Sequence, residues 1–134
     1  MSKILIVDDD PGVLSYLQRV LTAANHEVVS ASEAASALQA VADPDIRLVI
    51  SDVYMPGEPR GIEFIRQLVA ARPDCPVVVI SGYPNPSFVE ECRRLGVRDF
   101  LTKPFEMGFV RTVVHRCLSD PIAEHQNERG SDRA

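Results

Sequence analysis

A chain of 134 residues, 46% hydrophobic and 25% charged, has the length of one domain and the composition of a globular rather than a disordered one. At this size roughly two-thirds of the unfolded surface can be buried, so a core forms without metal or disulfide staples. With 19 acidic against 14 basic side chains the formal net charge is −5, which excludes a general nucleic-acid-binding surface, since that needs clustered Lys and Arg.

The first apolar run, Ile4-Leu5-Ile6-Val7, is too short for a signal-peptide core or a membrane span and reads as a strand. Asp10-Pro11 follows, an N-cap and a first-turn proline, and Val13, Leu14, Leu17, Val20 and Leu21 recur at helical spacing. Val28-Val29 predicts a second strand, and Ser32 is expected to cap a helix carrying Ala34, Ala35, Leu38 and Val41. Leu48-Val49-Ile50 is the third strand. A loop with Pro56, Gly57, Pro59 and Gly61 then leads to a helix lined by Ile62, Ile65, Leu68 and Val69. Val77-Val78-Val79-Ile80 is the fourth strand. Asn85-Pro86 opens the next helix, with Phe88, Val89, Cys92 and Leu95, and Gly96 ends it. Phe100-Leu101 is a short fifth strand, and Phe109, Val110, Val113, Val114 and Cys117 mark a last helix ending near Ser119. The expected domain is therefore residues 1–119, with residues 120–134 a polar, disordered tail or the start of a linker.

Strict alternation of five strands and five helices predicts an α/β protein with a parallel sheet, and unbroken aliphatic strands fit a sheet covered on both faces. Right-handed crossovers favour a doubly wound (βα)5 sheet of order 2-1-3-4-5. Cys75, Cys92 and Cys117 are odd in number and lack ligand spacing, so reduced thiols in a cytoplasmic protein are expected. His26, His115 and His125 are scattered and predict no metal site.

In open α/β sheets function gathers beyond the carboxyl ends of the strands. Here those ends carry Asp8-Asp9-Asp10, Ser51-Asp52, Ser81-Gly82 and Thr102-Lys103-Pro104. Packed carboxylates repel unless a cation joins them, and Mg²⁺ suits a few carboxylates with water and a phosphate. Ser81 and Lys103 are donors suited to phosphoryl oxygens. Twelve of the 14 basic residues are Arg, so a lysine at this strand end departs from the chain's habit. Each residue has an ordinary alternative: Asp10 as a helix cap, Asp8 or Asp9 and Ser81 as turn residues, Phe100 as core. The coincidence of four strand ends points instead to phosphoryl transfer at a carboxylate.

These residues resemble the receiver domain of two-component response regulators, the CheY-like family, over about residues 3–118. The resemblance rests on Asp8-Asp9, on Asp52 in Asp-Val-Tyr-Met-Pro-Gly, on Ser81 and on Lys103-Pro104-Phe105. It implies a flavodoxin-like fold in which Asp52 is the phosphoacceptor, taking a phosphoryl group from a phosphohistidine on a sensor kinase, from a phosphotransfer protein or from a small acyl phosphate. Mg²⁺ would be held by Asp9, Asp52 and the main-chain carbonyl of Tyr54, with Asp8 acting partly through water. Lys103 would pair with Asp52 and then with a phosphoryl oxygen, Ser81 would hydrogen-bond another, and Pro104 would follow a cis bond. Phe100 stands at the aromatic switch position, turning inward as the hydroxyl moves. The switched surface would comprise helix four, strand five and helix five, serving a downstream protein, an effector domain or a second copy of the chain. The resemblance implies self-catalysed transfer and autodephosphorylation rather than turnover; the net charge and the short apolar runs predict no nucleic acid and no membrane as partner of this chain. Whether it acts alone or as part of a longer regulator stays open at this point.

Two departures stand out. Gly57 and Gly61 flank the place where the family often has one glycine, as if a residue were inserted, and Pro59 stiffens that loop at the docking side for a kinase. Pro84 and Pro86 restrict the loop after strand four. Two other readings remain. A phosphatase of the haloacid-dehalogenase type would use Asp8 as nucleophile and Asp10 as acid/base, but it leaves Asp52 without a role and needs a later strand ending in acids. A receiver-like module would bind a partner without being phosphorylated.

Overall fold

The structure is a computed structural model and describes residues 2–82 and 85–119. Five strands alternate with five helices: β1 (Lys3–Val7), α1 (Pro11–Ala23), β2 (Glu27–Ala31), α2 (Ala34–Val41), β3 (Ile46–Asp52), α3 (Gly61–Ala71), β4 (Val77–Ser81), α4 (Pro86–Leu95), β5 (Asp99–Thr102) and α5 (Met107–Ser119). The sheet is parallel throughout, in the order β2-β1-β3-β4-β5.

The aliphatic runs form the central strands because both sheet faces are covered. Leu5, Val7, Val49, Val77 and Val79 join Ala34, Ala37, Val41, Phe64, Ile65, Leu68 and Cys92 on the face under α2, α3 and α4. Ile4, Ile6, Leu48, Ile50, Val78 and Ile80 join Leu17, Leu21, Val110, Val113 and Val114 on the face under α1 and α5. Each of the Val, Leu and Ile side chains among these is buried, which stabilises the fold by about 1.5–3 kcal/mol apiece relative to exposure. Cys75, Cys92 and Cys117 are buried inside this core, and burial raises Cys75 and Cys92 to about 11.

Helix ends follow from short-range chemistry. The Asp10 carboxylate accepts from the Gly12 amide at 2.8 Å with Pro11 in the first turn, and Asn85 accepts from the Phe88 amide at 2.9 Å. Gly96 closes α4 at φ 105°, a left-handed conformation that costs glycine little. Ser32 does not cap α2: the N-cap is Glu33, whose side chain makes no cap bond, because the helix begins one residue later than the serine allows. Arg72, after α3, donates to the carbonyls of Val41 (3.2 Å), Asp43 (2.7 Å) and Ile46 (3.0 Å), so the α2–β3 connection is tied to the end of α3. The expected tail, residues 120–134, and Tyr83 and Pro84 lie outside the described residues.

Candidate phosphoryl-transfer site

The register sets the site. Val7 pairs with Ser51, Asp52 with Ile80, and Ser81 with Thr102, so the carboxyl ends of β1, β3, β4 and β5 reach one edge together. Asp8 follows β1, Asp52 ends β3, Ser81 ends β4 and Lys103 follows β5. Two main-chain bonds hold these ends: Asp8 N–H to the Ala31 carbonyl at 3.2 Å, and Lys103 N–H to the Ser81 carbonyl at 3.0 Å.

Asp8 is fully buried, Asp52 half-buried and Asp9 exposed. Each offers a carboxylate oxygen, and the three oxygens lie within 4.8 Å of one another. Asp8 Oδ1 accepts from the Asp10 amide at 2.9 Å, while Asp8 Oδ2 is buried without a hydrogen bond. Lys103 Nζ lies 3.4 Å from that oxygen and 3.5 Å from Asp52 Oδ2. Asp52 Oδ1 accepts from the Val53 amide at 2.7 Å, and Ser51 Oγ donates to the Asp52 carbonyl at 2.7 Å.

Burial pushes the Asp8 carboxyl above the usual carboxylate range, and the charge of Asp52 adds to the rise, against the pull of the Asp10 amide and Lys103. For Lys103 burial works downward, but the charges of Asp52 and Asp8 outweigh it and hold the ammonium above its usual value. One ammonium facing three carboxylates leaves negative charge uncompensated. The orphaned Asp8 oxygen and the all-oxygen donor set fit a small divalent cation such as Mg²⁺.

Among the hollows that border the carboxylates, two adjoin Lys103 and Asp52. One, of about 690 Å³, runs along Val13, Tyr16, Pro104 and Phe105 with Asp10 and Lys103 at its rim, and the Tyr16 and Phe105 rings meet at 5.9 Å. The other, of about 320 Å³, is lined by Asp52, Tyr54, Ile80, Ser81, Gly82, Asn85 and Phe88. Asp52, Tyr54 and Ser81 thus share one wall. The Tyr54 side chain is 74% exposed. The Lys103–Pro104 peptide is cis, as is Glu58–Pro59.

Phe100 lies outside the carboxylate cluster. It is partly buried against the core under α4, and the Arg93 guanidinium carbon sits 5.5 Å from its ring centroid. Asp10 is also apart, its carboxylate engaged in capping α1. Neither the contact of Arg93 with the Phe100 ring nor the apolar hollow beside Lys103 leaves a signal in the sequence. The spacing of Tyr16 and Phe105, on α1 and after β5, gives no hint that they meet.

Comparison with known proteins follows the same lines. Residues 4–115 match the family described as the response regulator receiver domain. The chain is 32% identical to the DNA-binding transcriptional regulator NtrC of Rhizobium meliloti (strain 1021) over 118 residues, covering 88% of this chain and 24% of that protein. It is 34% identical to the response regulator protein FleR of Pseudomonas aeruginosa over 124 residues, covering 92% and 24%. The chain spans about a quarter of the length of these relatives. Among solved structures, the receiver domain of NtrX from Brucella abortus aligns with a TM-score of 0.80 at 33% identity, covering 87% of this chain and 98% of that one. The chemotaxis protein CheY4 of Vibrio cholerae aligns with a TM-score of 0.80 at 27% identity, covering 88% and 99%.

Proposed function

The chain belongs to the response regulator receiver domain family, and from that membership we propose that it is a phosphorylation switch whose acceptor is Asp52. The observation that carries the reading is the placement of Lys103 Nζ at 3.4 and 3.5 Å from the Asp8 and Asp52 carboxylates, within a cluster suited to a divalent cation. The Asp52 carboxylate attacks phosphorus, the bond from phosphorus to the donor's imidazole nitrogen or acyl oxygen breaks, and the donor leaves with that electron pair. Lys103 is the group at hand to pair with a phosphoryl oxygen, and Ser81, on the wall it shares with Asp52, binds another. Mg²⁺, held by Asp9, Asp52 and the Tyr54 carbonyl, with Asp8 acting through water, would neutralise charge on the transferring group. The hollow along Val13, Tyr16, Pro104 and Phe105 offers an apolar seat beside Lys103 for a kinase or phosphotransfer protein that brings a phosphohistidine.

Phosphorylation adds negative charge and acceptor oxygens at the end of β3. Movement of Ser81 toward them opens space for Phe100 to turn inward, which changes the α4–β5–α5 surface read by a downstream protein, an effector domain or a second copy of the chain. Transfer is self-catalysed and ends by autodephosphorylation, without turnover of a free substrate. Residues 1–119 form the receiver unit, working in the cytoplasm; no helix of the described residues is long and apolar enough to cross a membrane. A phosphatase built on Asp8 and Asp10 gains no support, since Asp8 is buried and the Asp10 carboxylate caps α1. The reading is tested by incubation with acetyl phosphate and Mg²⁺, which should leave an acid-resistant, base-labile label; no label, or sustained phosphomonoester turnover that survives Asp52→Asn, would contradict it.

A further inference from the structure

The Asp52 carboxylate is steadied by a single peptide unit. The Val53 N–H donates to Asp52 Oδ1 at 2.7 Å, and the carbonyl of that same unit, Asp52 O, accepts from Ser51 Oγ at 2.7 Å. A peptide is planar, so fixing its carbonyl also fixes the direction of its N–H. Asp52 is the last residue of β3, and the side-chain bonds take hold of the backbone where the strand ends.

Ser51 is fully buried, paired in register with Val7 and Val79, and flanked by Val49 and Val53 on the core face under α2 and α3. A buried hydroxyl carries a desolvation cost that an aliphatic residue would avoid. Its hydrogen bond goes to the peptide that holds the acceptor carboxylate. We propose that Ser51 is a positioning residue for phosphoryl transfer: through the Asp52–Val53 peptide its hydroxyl sets the orientation of the Asp52 carboxylate for attack on phosphorus. The inference rests on Asp52 being the acceptor. Ser51 gives and takes no proton; with acetyl phosphate, the Asp52 oxygen–phosphorus bond forms, the acetyl oxygen–phosphorus bond breaks and acetate leaves with the electron pair.

The test compares the chain with Ser51→Ala and Ser51→Thr at saturating Mg²⁺, following phosphorylation by acetyl phosphate, the urea midpoint and the Val53 amide proton resonance. Ser51→Ala should slow phosphorylation about 3- to 10-fold, as small misplacement of a reacting group does. It should also move the Val53 amide proton upfield, while Ser51→Thr, which keeps the hydroxyl, stays within about twofold of the parent rate. If Ser51→Thr does not fold, the Ser51→Ala rate and the Val53 resonance decide. A parent rate in Ser51→Ala, with or without a lower urea midpoint, or an unmoved Val53 resonance, overturns the positioning role and leaves the acceptor reading intact. Absence of label in the parent chain, or label in Asp52→Asn, overturns both.

Discussion

Lys103 Nζ stands 3.5 Å from Asp52 Oδ2, at the open end of hydrogen-bonding range, while the other oxygen of that carboxylate is already committed to the Val53 amide. The ammonium therefore sits beside Asp52 as a loosely held counter-charge, and on the proposed reading it exchanges Asp52 for a phosphoryl oxygen.

On the proposed reading, that placement makes Lys103 a competitor of a bound divalent cation. Lys103→Ala should tighten Mg²⁺ binding about 3- to 10-fold, since a positive charge a few ångströms away is removed. It should slow phosphorylation by acetyl phosphate about 10-fold or more, through loss of a donor to the transferring group. Titration with Mg²⁺, followed by amide shifts near Asp9 and Asp52, reads the first effect. Unchanged affinity in the variant would remove Lys103 from the cation's surroundings, and no response in the parent chain would favour an unphosphorylated binding module.

The exposed Arg93 lies over the ring of the partly buried Phe100, a cation–π contact. Such contacts are worth about 0.5–1 kcal/mol. If Phe100 turns inward on activation, Arg93→Ala removes a restraint on the resting arrangement and should tighten binding of beryllofluoride with Mg²⁺ about two- to fivefold. Equal affinity in parent and variant would show that the contact does not weigh on the switch.

The sequence reading succeeds where local pattern and global fold agree. Ile4–Val7 and Val77–Ile80 announce buried parallel strands because covering helices leave no polar face, and Asp10-Pro11 and Asn85-Pro86 mark helix starts within a few residues. The carboxylates and Lys103 were legible because a parallel sheet delivers its strand ends to one edge. Ser32 misled because Glu33, with an extended backbone, occupies the cap position instead. Arg72 and its three carbonyl partners, 26 to 31 residues earlier in the chain, leave no periodic trace, and neither does the pairing of Arg93 with Phe100.

Arg72 gives a prediction about stability alone. Its side chain is only 16% exposed, and Arg72→Ala removes a donor from the carbonyls of Val41, Asp43 and Ile46, of which Asp43 keeps the Ile46 N–H at 3.1 Å and Ile46 the Cys75 thiol at 3.7 Å. A loss of about 2 kcal/mol in urea unfolding is expected. Mg²⁺ affinity and phosphorylation rate should not change, because these contacts lie at the opposite end of β3 from Asp52. Loss of Mg²⁺ affinity at temperatures where the variant is folded would contradict this separation.

His26 introduces a dependence on pH. Burial lowers its pKa, and its Nδ1 accepts from the Ser2 N–H at 3.2 Å, a bond that needs the unprotonated nitrogen. Its folded value lies below the unfolded value of about 6.5, so the unfolded chain binds more protons in that window. Stability should therefore fall as pH drops through 6.5 toward the folded value, and His26→Asn should flatten that fall. Urea unfolding at pH 7.5 and pH 5.5 measures it (about one unit either side of the imidazole's ordinary value); identical slopes in the two proteins would remove His26 as the cause.

On the proposed reading, Asp52 receives the phosphoryl group with a divalent cation's help. Intact-mass and peptide mass spectrometry after acetyl phosphate treatment tests it most directly, comparing the parent chain with Mg²⁺, the parent chain with EDTA, and Asp52→Asn with Mg²⁺. One added phosphoryl group, located on Asp52, is expected in the first sample and none in the other two. A phosphoryl group on Asp52→Asn, undiminished labelling in EDTA, or an unlabelled parent chain with Mg²⁺ would contradict it.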